Sequence, residues 1–292
     1  MVDINDLVVC PVCHSDLSLD SNDGERAVRC PGCKRRYSLN GGVYNMTPVP
    51  PADELLRSKW DTWQKLQDNG LRSYTEAPEF NLSVGLREDA LAFRSFCQPS
   101  GLILDIGCGP QAYSSYLPEV GEVVGIDPLL GCQPRGFAFV QGIGEYLPFR
   151  DETFDQILYA SSLDHIMSPR RSLAEAVRCV KRGGKISLWI DGLADDDSTN
   201  NESAAQRYRT LATKGFKSLS RHSWLKKIGL RRTVAYVVSV AKMKVPEGAS
   251  DCFHFSHLNV AAVLGWLTEL KLSITAQLDY READSYFIQA RK

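Results

Sequence analysis

The chain has 292 residues, 43% of them hydrophobic, which is enough for one sizeable core and a smaller module. Its 34 basic and 35 acidic side chains leave a net charge of −1, excluding a global basic field that would draw it to nucleic acid or an anionic membrane. No run of about 18 apolar residues occurs, and the acidic start, MVDINDLVVC, lacks the positive charge of a secretory signal, so a cytoplasmic protein is expected.

Four of the nine cysteines, Cys10, Cys13, Cys30 and Cys33, fall within the first 33 residues, while Cys97, Cys108, Cys132, Cys179 and Cys252 are scattered and read as reduced thiols. The cluster is C-x2-C, sixteen residues, then C-x2-C. Each pair turns tightly enough to aim two thiolates at one point, so the four predict a closed, structural zinc shell. Pro11, Pro31 and Gly32 suit two equivalent knuckle turns, and His14 is expected to be exposed beside one of them. The polar stretch from Ser18 to Glu25 predicts a hairpin tip between short strands near Leu17 to Leu19 and Ala27 to Arg29. INDLVVCPVC, CPGC with the following Tyr37, and YSLNGGVYNM resemble the zinc-ribbon domain that, as a separate subunit, activates several tRNA and rRNA methyltransferases. The resemblance covers residues 1–48 and implies that a fused ribbon braces the domain C-terminal to it.

TPVPPADE, 47–54, predicts an extended linker, because its prolines disfavour helix. Residues 49–84 are expected to form this linker and a helical flap, with Trp60, Trp63 and Tyr74 as candidates for an entrance to the site. Core packing is the expected fate of the tryptophans. The remainder, 85–292, is expected to be a single domain with a lid insert at about 193–250. From residue 100, apolar runs alternate with helical segments, which predicts a parallel sheet covered on both faces. Strands are predicted at Leu102 to Asp105, Glu122 to Ile126, Ala138 to Val140, Gln156 to Tyr159 and Lys185 to Ile190. A helix is predicted over Ser172 to Val180, stopped by KRGGK at 181–185. A second helix, about Asn259 to Leu270, precedes a closing antiparallel pair near Leu272 to Tyr280 and Ser285 to Ala290. The expected fold class is therefore α/β: a Rossmann-like doubly wound, mostly parallel sheet with an antiparallel C-terminal strand, plus the small N-terminal zinc ribbon.

LILDIGCGPQA, 102–112, ends its strand in Asp105 just before a glycine loop. Gly107-x-Gly109-x-x-Ala112, with Asp127 further on, formally satisfies a nicotinamide dinucleotide fingerprint. In that reading a pyrophosphate would rest on the loop's N–H groups. Asp105 would then set a carboxylate beside two phosphates, and Pro110 would remove a donor. A cationic ligand without phosphate reverses the sign.

LILDIGCGP, VVGIDP, GIGEYLPFRDETFDQIL and VKRGGKISLWI, in this order, resemble four motifs of class I S-adenosylmethionine-dependent methyltransferases of the methyltransferase-11-like group. The match spans about residues 85–192 and resumes near 251. It implies that Gly107, Cys108 and Gly109 line the methionyl part of the cofactor, with Asp105 positioning its ammonium. It also implies that Asp127 accepts the ribose hydroxyls, that Pro128 shapes the adenine pocket, and that Gly144 and Glu145 lie at the adenine edge. Two departures stand out: Gln111 replaces the third loop glycine, and Ile143 replaces an acid that often meets the adenine amino group. Asp127 capping a turn, and Glu145 holding the loop before LPF, are the plainer structural alternatives.

Methyl transfer is an in-line displacement, so the protein must align the acceptor and, for a hydroxyl, accept its proton. YASSLDHIMSP, 159–169, follows the fourth strand. Ser161 or Ser162 is expected in the methionyl pocket, and Asp164 and His165 are the acid–base candidates; the alternative is that the latter two cap a helix or line the pocket wall. His254 and His257 in DCFHFSHL are expected to face the acceptor. Their His-x-x-His spacing also hints at a metal, but without a clear third ligand. In the insert, Lys214, Lys217, Arg221, Lys226, Lys227, Arg231 and Arg232 suit either an anionic acceptor or a solvated helix face. The expected function is methylation of oxygen, or else nitrogen, on a small molecule or carrier-linked sugar, as in cell-surface glycan or secondary-metabolite biosynthesis. The alternatives are an rRNA or tRNA base methyltransferase, since one rRNA guanine-methylating family also carries an N-terminal zinc ribbon, and a non-catalytic cofactor-binding regulator. Near-neutral charge and the lack of a basic stripe with interleaved aromatics oppose RNA.

Overall fold

A computed structural model describes residues 2–20, 26–48, 51, 53–81, 85, 87–110, 117, 121–131, 135–191 and 229–292. The chain opens with a one-turn helix, α1 (Ile4–Leu7), capped by Asp3, which accepts the Asn5 N–H at 2.9 Å. The knuckle turns then alternate with four short strands, β1 (Ser18–Asp20), β2 (Ala27–Arg29), β3 (Arg36–Asn40) and β4 (Val43–Asn45), paired antiparallel in sequence order. The β1–β2 hairpin lies where the polar tip placed it, with Leu19 opposite Val28.

Next come three helices, α2 (Glu54–Glu76), α3 (Pro78–Asn81) and α4 (Glu88–Cys97). In α2 the buried residues Leu56, Trp60, Trp63 and Leu66 recur at helical spacing, and the first three pack on Ile143, Tyr146 and Met167. The tryptophans are thus core residues, with ring centroids 4.8 Å apart, although Trp63 also borders the cleft over the sheet. The expected linker is held down before α2 begins. Pro48 and Pro51 are buried, and Asp53 both caps α2 through the Leu56 N–H and pairs with Arg171 at 2.9 Å.

The rest of the chain supplies β5 (Leu102–Ile106), β6 (Glu122–Asp127), β7 (Ala138–Gln141), β8 (Phe154–Ala160), α5 (Pro169–Cys179), β9 (Val180–Asp191), α6 (Leu230–Ala241), α7 (Val260–Glu269), β10 (Ser273–Tyr280) and β11 (Ser285–Arg291). All these strands form one sheet, in the order β1-β2-β3-β4-β7-β6-β5-β8-β9-β11-β10. From β7 to β9 neighbours run parallel, and β11 returns antiparallel between β9 and β10. The chain reverses its direction of winding between β5 and β8, which opens a crevice at the carboxyl ends of the strands.

One helix boundary differs from expectation. Val180 already belongs to β9 and pairs with Phe154, after which the register jumps to Gln156 opposite Lys185. Lys181 to Gly184 therefore loop out as a bulge, with Gly183 at φ +76, where a side chain would be strained. KRGG ends the helix as expected, but from within the strand's span.

The ribbon joins the sheet through β4, which runs parallel to β7 with Tyr44 opposite Val140. A second seam links Val9 N–H to the Pro148 carbonyl at 2.9 Å and Arg150 N–H to the Leu7 carbonyl at 3.1 Å. Val8, Cys10, Tyr37, Tyr44 and Met46 belong to the same buried cluster as Ile126, Val140, Leu147 and Phe149. The helix α6 rests on α2 and α3: Tyr236 stacks on Phe80 at 3.8 Å, and Thr62 donates to the Glu247 carbonyl at 2.8 Å. Of the basic residues expected in the insert, Arg231 and Arg232 are exposed, while Lys214, Lys217, Arg221, Lys226 and Lys227 lie outside the described residues. Among the described residues no helix is long and apolar enough to cross a membrane.

Candidate functional site

The crevice holds a cavity of about 360 Å³. Its floor is made by the turns after the parallel strands: Gly107 and Gly109 after β5, Asp127 and Pro128 at and after β6, Gly142 to Glu145 after β7, and Ser161, Ser162 and His165 after β8. Asp191 ends β9 at the same level. Trp63 and Tyr74 of α2, Tyr236 of α6, and Phe253 and His254 close it from above.

On one side the loop after β5 comes close to the strands. Gly107 has φ +75, and a Cβ there would stand 2.5 Å from the Ser162 Cβ, so the position excludes any side chain. Beneath it Asp105 is wholly buried, and neither carboxylate oxygen has a hydrogen-bond partner. Burial, and then the nearby charge of Asp127, push its pKa up to about 7. Asp127 accepts the Gly109 and Leu129 N–H groups, each at 2.7 Å. Burial raises its pKa to about 6 in spite of these donors. It therefore shapes the turn, as the plainer alternative held, while still facing the cavity with lone pairs to spare. Cys108 departs from expectation, since its thiol is buried away from the cavity, and a Cβ on Gly125 would meet it at 2.7 Å. Only its backbone belongs to the loop.

Gly144 and Glu145 border the cavity, but Glu145 is 1% exposed and accepts the Ser168 N–H at 3.0 Å, just before α5. It holds the loop, and burial raises its pKa to about 7. Ile143 is buried against the α2 tryptophans, so it offers the cavity an apolar wall and no side-chain acceptor.

Around the other end the acid–base candidates gather. A single 3-10 turn, Leu163–His165, puts Asp164 behind the cavity wall and His165 on it. Asp164 is 6% exposed, and its Oδ1 lacks a hydrogen-bond partner. His254 enters from the segment after α6, its ring centroid 4.6 Å from that of His165. Its Nδ1 is 2.7 Å from Asp251 Oδ2, and His165 Nδ1 is 2.9 Å from the Phe253 carbonyl oxygen. Burial depresses the pKa of His165, against the opposing pull of Asp164. For His254 burial acts the same way, but Asp164 and Asp251 outweigh it and lift the pKa to about 9. His257 is a correction: it is exposed, lies off the cavity wall, and its ring is 6.1 Å from that of His254.

Several participants carry no mark in the sequence motifs. Asp191 accepts Ser161 Oγ at 2.5 Å, Ser285 Oγ at 2.6 Å and the indole N–H of Trp189, and burial raises its pKa. Like Asp105 and Asp127 it is an acid at the carboxyl end of a parallel strand, and that position was the available signal. Ser161 sits at φ +53, a conformation rare outside glycine, which aims its hydroxyl at Asp191. Arg135 donates to the Gly109 and Leu130 carbonyls at 2.8 Å and lies 3.5 Å over the Phe139 ring, locking the turns after β5 and β6 together. No spacing pattern marks it.

Off the cavity wall, in the ribbon, the sulfurs of Cys10, Cys13, Cys30 and Cys33 lie within 4.8 Å of one another. The closest pairs are Cys10 with Cys33 at 3.5 Å and Cys13 with Cys30 at 3.3 Å. Four sulfurs at Zn–S distances of about 2.3 Å would stand about 3.8 Å apart, so the donor set fits a tetrahedral ion. His14 is exposed beside them, its Nε2 3.7 Å from Glu175.

Residues 104–188, which run from β5 into β9 through the parallel strands that build this site, match the family model described as a methyltransferase domain. Over 101 residues it is 35% identical to the protein MJ1123 of Methanocaldococcus jannaschii, covering 34% of this chain and 48% of the relative. Over 95 residues it is 32% identical to the demethylmenaquinone methyltransferase of Renibacterium salmoninarum, covering 30% and 40%. In both cases the match spans less than half of the curated relative's length. Among solved structures, the 1,6-didemethyltoxoflavin-N1-methyltransferase of Burkholderia thailandensis, with its substrate and S-adenosylhomocysteine bound, superimposes with a TM-score of 0.45 at 12% identity. That superposition covers 90% of this chain and 98% of the other.

Proposed function

We propose that the chain is an S-adenosylmethionine-dependent methyltransferase acting on an oxygen, or else a nitrogen, of a small molecule or carrier-linked sugar. The observation that carries this reading is Asp105, a wholly buried carboxylate without a partner, set beneath a glycine loop too tight for any side chain. A buried anion of this kind calls for a cation and repels a pyrophosphate. The methyltransferase-domain match over residues 104–188 supports the same choice.

When bound, the cofactor supplies a methyl group on positively charged sulfur. In this reading Asp105 holds the ammonium, and Gly107 and Gly109 let the backbone approach the methionyl part. Asp127 accepts the ribose hydroxyls, while Pro128, Gly144 and the Ile143 wall enclose the adenine. Asp164, His165 and His254 handle the acceptor and its proton. The roof formed by α2, α6 and Phe253 restricts the acceptor's approach, which is how a protein aligns an in-line displacement. A roofed cavity and a net charge of −1 favour a small acceptor over RNA. The four N-terminal cysteines hold a structural zinc ion, and the units are residues 1–48, 49–84 and 85–292, with the insert in the last.

Calorimetry tests the cofactor assignment. S-adenosylmethionine should bind the parent protein, and Asp127→Ala and Asp127→Asn should each weaken it by about 100-fold or more, since buried hydrogen bonds to hydroxyls are lost. His254→Gln should leave this affinity intact. Uptake of a nicotinamide dinucleotide in place of S-adenosylmethionine would overturn the reading. Affinity that falls steeply with salt for RNA, but not for small acceptors, would move the substrate to nucleic acid.

A further inference from the structure

We propose that Asp164, His165 and His254 form a divalent transition-metal site, open to the acceptor end of the cavity. One donor atom from each residue lies within 4.8 Å of the other two. His165 Nε2 is 3.8 Å from Asp164 Oδ1, and His254 Nε2 is 3.6 Å from Asp164 Oδ2. These separations are too long for hydrogen bonds. They are a few tenths of an ångström longer than the edge of about 3.0–3.5 Å between donors each held about 2.1 Å from one ion.

The surroundings fix the donors in the form a metal needs. His165 Nδ1 faces the Phe253 carbonyl at 2.9 Å, and His254 Nδ1 faces Asp251 Oδ2 at 2.7 Å. Both contacts suit a proton on Nδ1 and turn the two Nε2 atoms toward the same carboxylate, where an ion would take the place of any proton on Nε2. This outer arrangement, one carbonyl and one carboxylate behind two imidazoles, is the one that orients metal-bound histidines. Asp164 adds an independent sign. It is 6% exposed, yet Oδ1 has no hydrogen-bond partner, a costly state for a carboxylate that an ion would relieve.

Both histidines line the cavity, whereas Asp164 stands behind them, so an ion between the three would be covered by protein on one side only. Its remaining positions face the place where an acceptor must lie. Two imidazoles and one carboxylate suit Mn²⁺, Fe²⁺, Co²⁺ or Zn²⁺ better than Mg²⁺ or Ca²⁺, which take oxygen shells.

The use of the ion rests on the methyltransferase reading; the site itself rests on geometry. The ion ligates the acceptor hydroxyl and lowers its pKa, and the proton leaves to water. The ligated oxygen then forms a bond to the methyl carbon as the carbon–sulfur bond breaks, leaving its electron pair on a neutral sulfur. The acceptor class this selects is an oxygen nucleophile with a second oxygen beside it, such as a vicinal diol or a hydroxy-carbonyl, able to fill two open positions.

The test uses the full-length protein with its cysteine site filled by zinc. Mn²⁺ is titrated by the electron paramagnetic resonance signal of the free ion, and Co²⁺ by its visible absorption. One further ion per chain is expected. His165→Gln and His254→Gln should each weaken it by at least about 100-fold, and Asp251→Asn by about 10–100-fold, in samples that circular dichroism shows to be folded at the titration temperature. No second ion at up to millimolar Mn²⁺ or Co²⁺, or equal affinity in all three variants, would overturn the proposal. S-adenosylmethionine binding is measured on the same samples. Cofactor uptake without a second ion removes the metal site alone; a second ion without cofactor uptake removes the methyltransferase reading alone.

Discussion

Asp105→Asn should stabilise the cofactor-free protein at alkaline pH while impairing its binding of S-adenosylmethionine. The Asp105 carboxyl titrates at about 7 in the folded protein against 3.8 for an ordinary aspartate, chiefly because it is buried without a partner. Three pH units at 1.36 kcal/mol each disfavour its charged form by roughly 4 kcal/mol. Because the folded pKa is raised, this stability is fully present below pH 3.8 and is lost as pH climbs through about 7. Between pH 5 and pH 8 the loss amounts to roughly 2–3 kcal/mol, or a melting shift of about 5–10 °C for a chain of this size. An amide in the same place carries no such pH dependence, although it too lacks a partner and costs something at every pH. The informative quantity is thus the slope. The variant's melting temperature minus the parent's, followed by scanning calorimetry from pH 5 to pH 8, should rise by that amount. S-adenosylmethionine affinity should fall by about tenfold or more at pH 8 in the variant. A difference that stays flat with pH would refute the claim that Asp105 ionises without a partner, and unchanged affinity would refute its pairing with the cofactor's ammonium.

Gly107→Ala should lower both stability and cofactor affinity, because φ +75 is strained for alanine and its Cβ would overlap the Ser162 side chain at 2.5 Å. A cost of roughly 2 kcal/mol or more is expected in chemical denaturation; wild-type stability would show that the loop can move away. Met46→Ala removes a fully buried side chain from the core shared by the ribbon and the parallel sheet, for a loss of about 2–5 kcal/mol. Because β4 pairs with β7 inside that core, the whole chain should melt in one transition at a lower temperature. Chelation of zinc should lower the same transition. Two separate transitions in either experiment would show that the ribbon is energetically independent.

The parallel strands were legible because both of their faces are covered, and such strands read as short apolar runs: LILDI, EVVGID and FDQILYA fall where the pattern put them. The ribbon hairpin was legible from its polar tip, and α7 from Asn259, which caps it by accepting the Ala261 and Ala262 N–H groups. Pairing between β4 and β7 was not legible. It joins VYN to AFVQ across about ninety residues, and neither segment carries a mark of its partner.

The same limit governed the site. His-x-x-His offered a local pair, yet the structure turns His257 outward and brings His254 to Asp164 and His165, residues close to ninety positions earlier. Spacing within one segment missed this grouping because two of its three members, Asp164 and His165, come from the turn after β8, and only the fold brings that turn against the segment following α6. The carboxylates follow a simpler rule. Asp105, Asp127 and Asp191 each fall in or at the end of a parallel strand, and two of the three were identified from the glycine motifs beside them. Asp191 is followed by a single glycine, Gly192, and by no Gly-x-Gly pattern that would have marked it. Its bonds to Ser161 and Ser285 nevertheless set a third acid at the mouth of the sheet. Buried Asp127 and half-buried Asp191 line the crevice at the carboxyl ends of the strands, with Asp105 buried beneath its floor, a set of acids that suits a cation in the proposed reading. Arg135, which reaches the β5 loop, is spent on backbone carbonyls, and Arg87, which lines the cavity, is paired with Asp89 at 2.6 Å. For that reason the choice between a sulfonium donor and a dinucleotide depends more on the carboxylates than on the glycines the two ligand classes share.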